Sequence, residues 1–256
     1  MDVNTSSSKR LYASCSGTRD LKKNLLSSIG LLALSLSLAQ AKEPIFVQPD
    51  QTTAFEILPP PPAADSEKLK KELAELHKLE AQRTEEQVRQ AKADDELENM
   101  FVFKTILGDR FTPEALPATA RFSDDVKNDE GFNTAPAKEG FHRVRPYNLD
   151  KTLTPVCKVK TKDDSYPSGH ATTGYLEALA LIDLLPEKRD IILVRADEYA
   201  RNRLVCGVHY RSDIEASKLL AYAIHALMHS TPKYKEEMLA ARAELRAVFP
   251  ADVKDQ

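Results

Sequence analysis

Two strongly apolar stretches, beginning near His170 and at Ser212, constrain this chain more than any other feature. In the first, Leu176, Leu179, Leu181, Ile182, Leu184 and Leu185 crowd a run that Pro186 ends. The second carries Ile214, Leu219, Leu220, Ile224, Leu227 and Met228 toward a core, and Ser212-x-x-Glu215 has the form of a capping box at its start. Both repeat at helical spacing, and no stretch alternates at period two over a strand's length. The pattern predicts an all-α fold, a single-domain helical bundle.

Other segments extend that bundle. Residues 187–204 read as a helix bearing Ile191, Ile192, Val194 and Tyr199, and 232–248 as a charged amphipathic C-terminal helix. Between 66 and 98, Leu69, Leu73, Leu76 and Leu79 recur at helical spacing behind Asp65 or Ser66 as a cap, giving one long helix or two. His77, set among charges there, reads as a solvated residue. Residues 100–108 read as a buried segment closed by Gly108. A short helix is expected within 111–125, opened by Thr112-Pro113. Residues 126–137, rich in Asp, Asn, Gly and Pro, read as a loop near the mouth of a site.

The chain divides into residues 1–41, 42–65 and 66–250. Lys22 and Lys23, the apolar run 25–38 and the small-x-small triplet Ala39-Gln40-Ala41 have the layout of a cleavable export signal. That places the mature protein in a periplasm, with no membrane span left after cleavage. Residues 42–65 hold six of the 15 prolines. They read as an extended strap over the domain, with Ile45, Phe46, Val47, Phe55, Ile57 and Leu58 seeking burial. The helical domain proper follows, from 66 to 250. A net charge of −3 offers no basic field for nucleic acid. Cleavage after Ala41 would leave two cysteines, Cys157 and Cys206, and an even count in an oxidising compartment favours a disulfide over two buried thiols.

Three separated segments share one chemistry. Lys138 and Arg145 lie in the first, Ser168, Gly169 and His170 in the second, and Arg203, His209 and Asp213 in the third. Arginine forks match phosphate oxygens bidentately and a lysine adds a point charge. Ser168 and Gly169 fall at a helix start, where free N–H groups and the helix dipole favour an anion. Asp213, four residues beyond His209, suits a carboxylate that fixes an imidazole tautomer and frees its other nitrogen to attack phosphorus. His170 is then left to protonate the departing oxygen.

Lys138-x6-Arg145-Pro146, Pro167-Ser168-Gly169-His170 and Arg203-x5-His209-x3-Asp213 together resemble the three-part pattern of the type 2 phosphatidic acid phosphatase superfamily, shared with vanadium haloperoxidases. Within it the chain looks like the bacterial class A non-specific acid phosphatases. The leader, Leu58-Pro59-Pro60-Pro61-Pro62, Ser165-Tyr166-Pro167-Ser168-Gly169-His170 and Val205-Cys206-Gly207-Val208-His209-Tyr210-Arg211-Ser212-Asp213 carry the likeness. The resemblance implies a metal-independent phosphomonoesterase of broad specificity with no cofactor, acting on small phosphate esters and assembling as a homodimer or larger. It implies His209 as nucleophile, His170 as general acid and Asp213 as its orienter, with Lys138, Arg145, Ser168, Gly169 and Arg203 on phosphate. Asn202 departs from the family's usual Ser, which points to altered support behind Arg203.

Competing chemistries fit the residues less well. Four residues separate Cys206 from Arg211, one short of the cysteine-phosphatase loop, and Ser168 has Tyr166 and His170 where a nucleophile elbow needs glycines. His142, His225 and His229 make no recognisable ligand set, although the last two share a helix face. Haloperoxidase-like or lipid phosphatase activity, and a phosphate-binding protein without turnover, stand as the alternatives.

Overall fold

The computed structural model describes residues 42–250; the proposed leader therefore lies outside the described residues. The first apolar run forms helix α8, Gly169–Leu184, buried on nearly every side as a helix apolar all round must be. It lies between α6 (Pro117–Phe141), α9 (Arg189–Val205), α10 (Arg211–Met228) and α11 (Pro232–Val248). Pro186 closes it through a short 3-10 turn. Gly174 lets α9 approach closely, because a Cβ there would overlap the buried Tyr199 ring. We expect Gly174→Ala to destabilise the chain by about 1–3 kcal/mol through overpacking; urea unfolding would measure it, and an unchanged midpoint would refute this packing account.

The remaining elements wrap this core. The Leu-rich segment is two helices, α3 (Glu67–Gln82) and α4 (Glu85–Glu96). Ser66 Oγ caps the first by accepting from the Leu69 N–H at 3.2 Å, and Thr84 caps the second. Met100–Phe103 make a buried 3-10 turn that ends, after the helical turn α5 (Lys104–Leu107), at Gly108 with φ 91°. No strand occurs among the described residues, in keeping with the all-α expectation.

Several local expectations fail. Thr112-Pro113 opens no helix; Pro117 does, and the helix it starts runs for 25 residues through the segment expected to be a loop, with Pro136 inside it. The polar residues of 126–137 are there because they are satisfied. Asp129 accepts from the backbone N–H groups of Ile45, Phe46 and Val47 at 2.6, 2.7 and 2.7 Å, and Asn133 Nδ2 donates to Val47 O at 2.9 Å. These contacts bind the N-terminal strap to α6. The strap itself contains two helical turns, α1 (Pro49–Thr52) and α2 (Ala54–Ile57). Phe46, Val47 and Leu58 are buried, but Phe55 and Ile57 stay exposed, as do Ile191, Val194 and Leu219.

Helix α10 starts at Arg211 rather than at Ser212. Asp213, not Glu215, closes its first turn by accepting the Tyr210 N–H at 2.9 Å. Cys157 and Cys206 form a disulfide with Cα atoms 5.2 Å apart. It ties the segment before α8 to the turn at Gly207, whose φ of 74° favours glycine.

Candidate active site

The N-terminal end of α8, the C-terminal half of α6, Arg145 just before the helical turn α7 (Pro146–Leu149) and the turn between α9 and α10 converge on a cavity of about 390 Å³. Lys138, Arg145, Gly169, His170, Arg203 and His209 all line it, so residues from all three motifs meet. Ser168 lies behind the wall, buried, and N-caps α8 by accepting from the Ala171 N–H. Gly169 faces Glu130 and Lys138, where a Cβ would stand 3.6 and 3.9 Å from them.

His209 is held on both nitrogens. Arg145 Nη1 stands 3.2 Å from Nε2 and can only donate, so Nε2 must carry a lone pair. The proton is then on Nδ1, which donates to Asp213 Oδ2 at 3.1 Å. Burial pushes the His209 pKa well below its usual value, with Arg145, Arg203 and Lys138 adding to the effect. The imidazole is thus neutral, with its lone pair on the cavity side.

Asp213 is fully buried and amply supported. It accepts from Arg143 Nη1 at 2.5 Å, Ser165 Oγ at 2.6 Å and the Tyr210 N–H. Burial raises its pKa, and Arg143, Ser165 and the Tyr210 amide work against that rise.

The cations are themselves positioned. Lys138 Nζ donates to the carbonyls of Asp164 and Pro167 at 2.7 and 2.6 Å. Burial first, then Arg145, lowers its pKa to about 8, which leaves it charged in acid. Arg145 Nε donates to Asp164 Oδ1 at 2.8 Å, and Arg203 Nη1 to Asp95 Oδ1 at 2.5 Å. Arg203 Nε is buried with no hydrogen-bond partner among the described residues, a donor suited to an anion's oxygen. Asn202 points away from the cavity and donates to Asp94 Oδ2 at 2.7 Å, beside the Asp95 that holds Arg203.

His170 sits opposite a different wall. Its Nε2 lies 3.2 Å from Glu98 Oε1 and 3.2 Å from Asp95 O. Burial and then Arg203 depress its pKa to about 4, while Glu98 and Asp95 oppose the shift. Removing the Glu98 charge in Glu98→Gln therefore lowers the His170 pKa further and depletes the imidazolium at lower pH. We expect the falling limb of the kcat/KM profile to move toward acid, with a loss of about three- to tenfold near pH 6. An unmoved limb would disconnect Glu98 from the proton.

Arg143, Asp164, Asp95 and Glu98 belong to no motif in the sequence, and Ser165 stands there only as the first residue of the 165–170 run. Each acts through a partner far away in the chain. Arg143 also offered a local hint, as a second arginine two residues before Arg145.

Fixed cations beside a neutral, oriented imidazole, inside an all-helical bundle, suit a protein that handles phosphoryl groups. The family model described as PAP2 superfamily matches residues 130–237. The chain is 32% identical over 197 residues to a non-specific acid phosphatase of Providencia stuartii, spanning 73% of this chain and 79% of the relative. It is 27% identical over 230 residues to one of Salmonella typhimurium, covering 86% and 91% of the two chains. Among solved structures, a bacterial vanadium-dependent iodoperoxidase shares the fold with TM-score 0.52 at 19% identity, over 69% of this chain and 53% of that one. The chain belongs to the bacterial non-specific acid phosphatases of the PAP2 superfamily and is a phosphoric monoester hydrolase. Among its described residues, no helix is long and apolar enough to cross a membrane.

Proposed function

We propose that this phosphatase is exported to the periplasm and hydrolyses phosphate monoesters of broad specificity through a phosphohistidine, without a metal. The observation that carries the reading is the double hold on His209, which fixes a neutral imidazole with Nε2 toward the cation-lined cavity. Lys138, Arg145 and Arg203 then bind the phosphoryl oxygens. The Nε2 lone pair forms a bond to phosphorus as the bond to the ester oxygen breaks. His170, as imidazolium, gives its proton to that oxygen and the alcohol leaves. Neutral His170 next takes a proton from water, whose oxygen attacks phosphorus. The N–P bond breaks, and phosphate departs with His209 neutral again.

Three cations, a nucleophile and a proton donor supply every term such a reaction needs, so no step calls for a metal. Acid favours turnover because His170 must enter protonated and its pKa is already low. The export reading rests on the layout of residues 22–41 and is supported by the Cys157–Cys206 bond, which needs an oxidising compartment. Hydrolysis of p-nitrophenyl phosphate should be fastest in acid, persist in EDTA and be inhibited competitively by vanadate, which occupies the phosphoryl position as a trigonal bipyramid. Loss of activity in the chelator, with recovery on adding metal, would overturn the metal-free mechanism.

A further inference from the structure

At the end of α8 and α10 remote from the cavity, Asp183, His225 and His229 bring three ligand atoms together. His225 Nε2 lies 2.9 Å from Asp183 Oδ2, and His229 Nε2 lies 2.8 Å from the same oxygen. The two Nε2 atoms are 3.2 Å apart. Hydrogen bonding accounts poorly for this triangle. A proton on each Nε2 would put three donors on Asp183 Oδ2, counting the Tyr234 hydroxyl at 2.7 Å, and a proton on only one leaves a lone pair facing a carboxylate oxygen. A first-row ion accounts for it well. With bonds near 2.05 Å to nitrogen and oxygen, neighbouring ligand atoms stand about 2.9 Å apart in octahedral and about 3.4 Å apart in tetrahedral coordination.

The surroundings are built for such a set. His225 and His229 are spaced i, i+4 on one face at the end of α10, and Asp183 is in the last turn of α8. The buried Tyr234, at the start of α11, donates its hydroxyl to Asp183 Oδ2 at 2.7 Å and so orients the carboxylate, as outer partners of metal ligands do. Asp183 and His225 are mostly covered at 15% and 16% side-chain exposure, whereas His229 is 43% exposed, which gives an ion a route in and water its open positions.

We propose that Asp183, His225 and His229 form a site for a divalent transition-metal ion, with Zn²⁺ its natural probe. Two imidazoles and one carboxylate select zinc, copper or nickel over magnesium and calcium. His170 and Asp183 are thirteen residues apart on α8, about 20 Å along the axis. The ion therefore pins the ends of α8 and α10 together, with α11 tied in through the Tyr234 hydroxyl on Asp183, and takes no part in phosphoryl transfer.

The test uses the tag-free chain stripped of metal. Titration calorimetry with Zn²⁺ should give about one ion per chain, and thermal unfolding should move up by several degrees with zinc but not with Mg²⁺. His229→Ala, at the exposed ligand, should weaken zinc binding about 10–100-fold or more and abolish the thermal shift. It should keep the metal-free melting temperature and p-nitrophenyl phosphate hydrolysis of the parent. His225→Ala should lose binding in the same way; should it fail to fold, His229→Ala decides the matter alone. Absence of stoichiometric zinc on the parent chain, or equal affinity in His229→Ala, would overturn the site. Neither result bears on hydrolysis, which is read separately.

Discussion

His209→Ala loses at least about 10⁴-fold in kcat on p-nitrophenyl phosphate while its fold and thermal midpoint remain those of the parent. The size follows from what the substitution removes. Without Nε2 the cavity loses the imidazole that Asp213 and Arg145 hold neutral and oriented, and water attacking directly must do so without a covalent step. His170, Lys138, Arg145 and Arg203 stay in place, so phosphate and vanadate should still bind to the variant. Stability is spared because truncating the imidazole leaves Asp213 with Arg143, Ser165 and the Tyr210 amide. Turnover within tenfold of the parent would exclude His209 as nucleophile.

The largest expected loss of stability lies one residue further back. Arg143 is buried, donates to Asp213 Oδ1 at 2.5 Å and Glu72 Oε2 at 2.8 Å, and stacks over Tyr210 at 3.9 Å. Arg143→Met keeps much of the volume and leaves two buried carboxylates, Asp213 and Glu72, without their counter-charge. That costs about 3–5 kcal/mol, since an uncompensated buried charge is what makes breaking such pairs expensive. For a chain of this size the melting temperature falls by about 10 °C. Activity should fall as well, and most in acid. Arg143 holds the Asp213 pKa down against burial, so without it Asp213 takes up a proton at higher pH and releases the His209 Nδ1–H. Losses of kcat/KM that grow as pH drops would show this; equal losses at every pH would assign Arg143 a purely structural role.

How much of this could be read from the residues alone depends on the range of the interaction. Helices α8, α10 and α11 were legible because their apolar periodicity is local and unbroken, and Pro186 marks a stop. Helix α6 was not. Its inward stripe contains Asp129, Glu130 and Asn133, residues whose composition suggests a turn, and partners far off in the chain, the backbone of 45–47 and Thr173, help to satisfy them inside a helix. The cavity shows the same division. Lys138, Arg145, His170, Arg203 and His209, which line it, follow a recognisable spacing in the sequence. Those that hold them, such as Asp95 against Arg203 from 108 positions away, leave no local trace.

Trapping the phosphoryl group tests most directly whether His209 carries it. His170→Ala should accumulate the intermediate with p-nitrophenyl phosphate, because nitrophenolate departs without a proton while the water step loses its base. After a base quench, peptide mapping by mass spectrometry should then find about one phosphate per chain, on His209. Phosphate on another residue, or no phosphoenzyme during continuing turnover, would contradict the account.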